Sequence, residues 1–430
     1  MSGGIKVGKI FGIPLFLDRW WLLMLLLFSW DFSRGYTLLS PNFAWLFGLI
    51  SALLLFGSVL CHELAHSFVA RRCGVPVEAI TLHPLRAITH MTQEGSTPRA
   101  VLAIAIAGPI SNLILSGGLI LVAWAIAGQS VFIVGRGESL VNFASTIGAG
   151  RSLLGYIAWE LAQINLGLAV LNLLPGMPLD GGHAVKAIIW QLSGDRFTGI
   201  RGAAWSGQVL AWLSIFGGGF LLSRGAGGGL ILLLVGLFLL SNAGGTLQMA
   251  NIQQALLTLK AENVMTREFR LLEATITLRQ FADEYLLLAN PEQHQVFYGV
   301  ANGRDRGMIC IERLKEIDRS KWPTETIDKL LQPLADLITV ELKDDLAKVI
   351  DLLEAQKLRH ITVVSPVGSV VGLIDRGDII RALGRKLQWR LPDPIIQQIK
   401  HDGRFPANFP LWELSKSLLE AKQKSYVKAE

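Results

Sequence analysis

The stretch Leu53-Leu54-Leu55-Phe56-Gly57-Ser58-Val59-Leu60-Cys61-His62-Glu63-Leu64-Ala65-His66-Ser67-Phe68-Val69-Ala70-Arg71-Arg72 sets two imidazoles and a carboxylate inside an apolar run. On a helix, residues four apart share a face. His62 and His66 can therefore reach one metal ion at about 2.0–2.1 Å. Glu63 sits one position along, where its carboxylate can take a proton from water rather than bind the metal. This H-E-x-x-H pattern suits metal-assisted hydrolysis. Without a metal, the five residues read as a helix end with a solvated polar side. The flanks weigh against that, because ionisable groups at membrane depth are costly and usually functional.

The rest of the chain supports the depth. It has 430 residues, of which 51% are hydrophobic and 17% charged, and a mean hydropathy of +0.43. Soluble domains carry roughly 25% charge. The net charge of +6 suits basic loops beside a lipid bilayer better than a nucleic-acid partner, and no nucleic acid is expected. Three cysteines without C-x-x-C spacing provide no disulfide framework. Cys61, beside the motif, reads as a small buried helix residue rather than a ligand.

The fold class expected is a polytopic α-helical membrane protein of about six spans with a C-terminal cytoplasmic α/β region. A span needs about 20 apolar residues. The candidates are 19–30 extended on both sides, 44–61, 101–128, 153–174, 204–222 and 227–241. Lys and Arg gather in alternate connections: Lys6 and Lys9, then Arg71, Arg72, Arg86 and Arg99, then Lys186, Arg196 and Arg201. The opposite side holds Arg34, Arg136, Arg151 and Arg224. This asymmetry places both termini in the cytoplasm, with the plasma (inner) membrane as the default host. Composition divides the chain into a membrane domain at 1–250, a charged α/β domain at 251–390 and a polar, partly helical tail at 391–430.

Two protein ligands leave a metal short of one. The best candidate is Asp180, in Asn172-Leu173-Leu174-Pro175-Gly176-Met177-Pro178-Leu179-Asp180-Gly181-Gly182. Pro175 and Pro178 break the helix there. Irregular backbone at membrane depth is tolerated inside protein or beside a wet cavity, where a carboxylate calls for a cation. The plainer alternative is a surface loop with a solvated aspartate. Glu160, Gln163 and Asn165 form a polar stripe that reads as helix-joining, and Asn112 as setting a helix entry.

Together these residues resemble the site-2 protease family of intramembrane zinc metalloproteases. The likeness rests on His62-Glu63-Leu64-Ala65-His66 and on Asn172, Pro175, Leu179, Asp180 and Gly181, at the spacing of the family's N-x-x-P-x-x-x-L-D-G element. It extends to Phe68–Arg72, Gly74-Val75-Pro76 and Ala107–Asn112, the last read as opening the third span. The resemblance implies one Zn2+ per chain held by His62, His66 and Asp180. It implies Glu63 as general base and Asn172 as the residue that orients substrate or stabilises the oxyanion. Its substrates would be single-span membrane proteins, cut within or near their helices. The strand-like segment 77–91 would pair with a locally extended substrate. Many members have Gly-Gly there, where this chain has Pro84-Leu85-Arg86-Ala87. His83, His90 and His183 read as polar loop residues or a weak second metal contact.

The C-terminal half resembles a tandem pair of cystathionine-β-synthase (CBS) domains with a degenerate first copy. Val264-Met265-Thr266 and Gly372-Leu373-Ile374-Asp375-Arg376-Gly377-Asp378 carry the likeness. The family pattern has Thr or Ser three residues before Asp378 to hold the ribose of an adenine nucleotide. Here Asp375 would repel a nearby phosphate, which points to homodimerisation or substrate gating instead. Two other functions share some of these features: a CBS-gated ion transporter with His62, Glu63, His66 and Asp180 along its path, and a silent metal-binding scaffold. The carboxylate between two ligands favours the hydrolase over the pore.

Overall fold

The computed structural model describes residues 4–37, 41–83, 87–91, 94–127, 149–287, 296–301, 304–406 and 411–427. Arg86 and its neighbours Pro84 and Leu85 lie outside them, as does Arg136. The chain divides into two compact units, residues 1–250 and 251–430.

The first unit opens with a hairpin, β1 (Ile5–Ile10) and β2 (Ile13–Leu17), paired antiparallel with Ile10 opposite Ile13. Phe11 and Gly12 turn the chain with φ of 50° and 77°, the two-residue positive-φ turn that matches strand twist. Helices α1 (Trp21–Tyr36) and α2 (Ala44–Arg72) follow. Then come β3 (Val77–Leu82) and β4 (Ala87–Met91). The four strands form one sheet in the order β1-β2-β3-β4, so β4 is an edge. The remaining helices are α3 (Pro98–Ala127), α4 (Ala149–Leu173), α5 (Asp180–Ser193), α6 (Arg196–Ser223) and α7 (Gly228–Thr258).

Among the described residues, five helices are long and apolar enough to cross a membrane, namely α2, α3, α4, α6 and α7. The first of the six expected spans is shorter. α1 has 16 residues, about 24 Å at 1.5 Å per residue, because the hairpin takes up the chain through Leu17 and Asp18 Oδ1 accepts from Trp20 N at 2.9 Å.

Polar groups join the helices, as in other membrane bundles. Tyr36 of α1 donates to Glu160 Oε2 of α4 at 2.7 Å and lies 2.6 Å from Ser51 Oγ of α2. Asn165 of α4 donates to Ser58 of α2 at 3.1 Å. Gln163 is exposed and, among the described residues, takes no part. Two expectations change. α3 starts at Pro98, so Gly108-Pro109 lies in its interior, and Asn112 is a buried mid-helix residue rather than a helix entry. Cys61 is exposed on the outer face of α2 rather than buried.

The second unit repeats one motif. Strands β5 (Phe269–Glu273), β6 (Val296–Ala301), β7 (Arg304–Ile309) and β8 (Leu331–Pro333) form one sheet. Strands β9 (Thr339–Glu341), β10 (His360–Val364) and β11 (Val370–Asp375) form another. Each contains a parallel pair, β5 with β6 and β9 with β10, followed by an antiparallel hairpin. Helix 346–355 packs Leu346, Val349, Ile350 and Leu353 into the core. The tail is not merely polar: Ile399, Leu411 and Leu418 join the same core.

Candidate metal centre

Helix α2 is long enough to carry its motif inward. Its 29 residues span about 43 Å, and His62 to His66 lie about 9–15 Å from the Arg72 end. One turn apart, the two imidazoles are buried and face a common point, with Nε2 atoms 3.1 Å apart. Asp180 opens α5, where a carboxylate suits the positive helix end. Its Oδ2 lies 3.1 Å from His62 Nε2 and 3.3 Å from His66 Nε2. Gly182 allows this approach, since a Cβ there would come within 2.5 Å of the Gly176 and Met177 backbone.

This triangle fits a metal. Around a tetrahedral centre with 2.0–2.1 Å bonds, neighbouring donors stand about 3.3–3.4 Å apart. The proton arrangement agrees. His66 Nδ1 lies 2.7 Å from the Ile104 carbonyl, which can only accept, so Nδ1 carries the proton and Nε2 presents a lone pair. Asp180 Oδ2 is buried and accepts no hydrogen bond from the described residues. With His62 in the same tautomer, three acceptors converge on one point, an arrangement that calls for a cation. Gly108 of α3 leaves the room: a Cβ there would sit 2.6 Å from His62 Nε2.

Glu63 offers an oxygen within 4.8 Å of both imidazole donor atoms. Asp180 Oδ2 lies within 3.3 Å of both imidazole nitrogens, the placement of a third donor. The Glu63 carboxylate accepts from Thr89 Oγ1 at 2.6 Å. Glu63, His66 and Asp180 line a cavity of about 500 Å³ with Ile88, Thr89 and Met91 of the edge strand and with Glu94 and His183. Asn172 is half-buried in the last turn of α4 and does not line that cavity.

Glu94 closes one side of the cavity. It accepts from Lys186 Nζ at 2.5 Å and from Arg196 Nη2 at 2.8 Å, and Lys186 is only 1% exposed. The Glu94 side chain is 47% exposed, and its partial desolvation, which would raise the carboxyl, is outweighed by the two cations, which bring its pKa down to about 2. Lys186 and Arg196 are therefore partners of an acid rather than free loop charges. His90 lies 3.0 Å from Thr81 Oγ1 and His83 3.4 Å from Asp18 Oδ2. Of the three extra histidines, only His183 lines the cavity. The roles of Thr89, Glu94, Lys186 and Gly108 were not legible in the sequence, where Lys186 read only as a loop charge and Gly108 only as part of the family likeness, because each acts through a distant segment.

In the second unit, Lys400 Nζ lies 2.9 Å from Asp378, 3.2 Å from Asp375 and 3.3 Å from Glu268. Asp375 also caps helix 376–387 by accepting from Asp378 N at 2.8 Å. The carboxylate that stands where a ribose-binding hydroxyl was sought is thus committed to a cap and a lysine.

Residues 50–215 match Peptidase family M50 and residues 330–385 match the CBS domain. The Synechocystis protein sll0528, classed by name among the zinc metalloproteases, is 35% identical over 89% of this chain and 96% of its own length. Rip3 of Mycobacterium tuberculosis, classed the same way, is 30% identical over 89% of this chain and 93% of its own. The solved site-2 protease from Methanocaldococcus jannaschii is 28% identical, covers 57% of this chain and 95% of its own, and superposes with a TM-score of 0.37. These relatives favour the hydrolase over an ion path and call for Zn2+ at the centre. With a zinc-metalloprotease relative matching nine-tenths of its length and apolar helices around an H-E-x-x-H motif, the chain belongs to peptidase family M50, the site-2 protease type of intramembrane zinc metalloprotease, and carries a CBS domain.

Proposed function

We propose that His62, His66 and Asp180 hold the zinc, that Glu63 is the general base, and that the substrates are single-span membrane proteins. The observation that carries this is the triangle of 3.1–3.3 Å between the three donor atoms, with Glu63 beside it. When bound, zinc supplies Lewis acidity that activates water and polarises the scissile carbonyl. Glu63 takes the water proton and returns it to the leaving nitrogen. The free edge of β4 offers backbone groups to an extended segment, and the cavity walls of Ile88 and Met91 exclude bulk water around it. Asn172 would orient substrate from the end of α4.

Both termini would face the cytoplasm, with α1 as a short sixth crossing. Support comes from Glu94, which precedes α3, meeting Lys186 and Arg196, which follow α4. Those two connections must then share one side of the membrane. The region 251–390 would act as a tandem regulatory pair without nucleotide, serving homodimerisation or gating, with 391–430 as its tail. The plasma membrane is the proposed host.

The test is cleavage of a tagged single-span substrate by detergent-purified protein, wild type beside Glu63→Gln, with zinc measured in both. Equal zinc and cleavage by wild type alone support the assignment. Wild type without zinc, or undiminished cleavage by Glu63→Gln, overturns it.

A further inference from the structure

We propose that Thr89 is the positioning residue for the Glu63 carboxylate, and that it acts from the strand on which an extended peptide docks. The inference rests on the reading of Glu63 as base. Glu63 lies on α2 with a flexible side chain, and among the described residues its carboxylate makes one hydrogen bond, from Thr89 Oγ1 at 2.6 Å. An ionised carboxylate only accepts, so Thr89 is the donor in that bond. Ser67, one turn along α2, gives its own proton to the Glu63 carbonyl at 2.8 Å and lies 3.4 Å from Thr89, a weaker acceptor for the Thr89 proton than the carboxylate at 2.6 Å.

Strand geometry puts this hydroxyl in a telling place. Successive side chains of a strand point to opposite faces. His90 faces Thr81 at 3.0 Å on one side of the sheet, which sends Thr89 to the other, toward α2. Thr89 pairs with Ile80 of β3, and among the described residues no strand pairs with its other edge. A peptide added to that edge would order the backbone of residues 87–91 directly. The Thr89 hydroxyl is one side chain away from that backbone, and Glu63 is one hydrogen bond further. Docking and base alignment are thereby joined: the carboxylate reaches its working position when the strand is pinned by substrate. Misplacing a reacting group by about 1 Å can cost about 100-fold, so the link controls turnover rather than binding.

The test compares Thr89→Val, which keeps the shape and loses the hydroxyl, with Thr89→Ser, which keeps the hydroxyl. Zinc content, kcat and KM are measured for both beside wild type and Glu63→Gln. Thr89→Val is expected to hold wild-type zinc and KM with kcat about 10- to 100-fold lower, and Thr89→Ser to recover most of that loss. A Thr89→Val enzyme with wild-type kcat overturns the proposal. So does a raised KM with unchanged kcat, the pattern of a residue that only anchors the strand, or a serine variant as slow as the valine one. Should valine prevent folding, Thr89→Ala carries the same comparison. If Glu63→Gln is inactive while Thr89→Val is unimpaired, only the role of Thr89 fails. If Glu63→Gln retains wild-type kcat, the reading of the base fails with it.

Discussion

His62 Nε2 and Asp180 Oδ2 stand 3.1 Å apart, one deep in α2 and the other at the first position of α5. Neither atom has a proton to give if His62 matches the tautomer fixed in His66, so the pair is complete only with a cation between them. Removing the metal should therefore weaken the fold as well as the activity. A chelator is expected to lower the melting temperature of the wild type, since a ligand at 100 times its Kd stabilises by about 2.7 kcal/mol. Asp180→Asn should melt like the chelated wild type and be indifferent to chelator. Calorimetry of both proteins with and without chelator checks this.

Gly108 tests the same centre from the opposite helix. Alanine is ordinarily the better helix former, yet its Cβ at this position would clash with both imidazoles, 2.6 Å from His62 Nε2 and closer still to His66 Nε2. Overpacking costs about 1–3 kcal/mol, so Gly108→Ala should bind zinc roughly 10- to 100-fold more weakly. Gly117→Ala on the same helix meets nothing within 4 Å and should bind as wild type. Zinc competition titrations decide.

The Glu94 cluster predicts a pH dependence. Its folded pKa of about 2 lies below the ordinary 4.5. The carboxylate therefore contributes stability that is present above about pH 4.5 and is lost as pH falls toward 2. Glu94→Gln should be less stable than wild type at neutral pH, because it strands the buried Lys186. The gap should narrow through that acid window. Melting curves of the two proteins in metal-free buffer, compared pH by pH, measure it.

Lys400 is the corresponding test in the second unit. It balances Asp378, which is 2% exposed, together with Asp375. Burial, then the nearby Asp375, push the Asp378 carboxyl above its usual range, while Lys400 opposes them. Lys400→Ala should destabilise this unit by about 1–3 kcal/mol, the loss of one charged partner from a buried carboxylate that Arg381 still reaches at 3.4 Å. Hydrogen exchange of the full-length protein in helix 376–387 reads this directly. Calorimetric titration with AMP and ATP should show no binding to the wild type.

The local features of this protein were legible in its sequence. Composition identified a membrane protein, and the spacing of His62, Glu63 and His66 put two imidazoles on one helix face because helical geometry depends only on near neighbours. The strand character of 77–91 was equally local. The β1-β2 hairpin could have been read the same way, since Phe11-Gly12 interrupts an apolar run and glycine favours a positive-φ turn. α1 proved shorter than the expected first span because that hairpin consumes the residues before it. Asp180 could be suggested from its Pro- and Gly-rich setting, but its place opposite the imidazoles depends on how α5 packs against α3 and α6. Thr89 on Glu63, Gly108 against the histidines, Glu94 between Lys186 and Arg196, and Lys400 among three carboxylates were decided by tertiary structure alone. In each, the partners come from segments far apart in the chain, and no periodicity records which surfaces meet when the helices and strands pack.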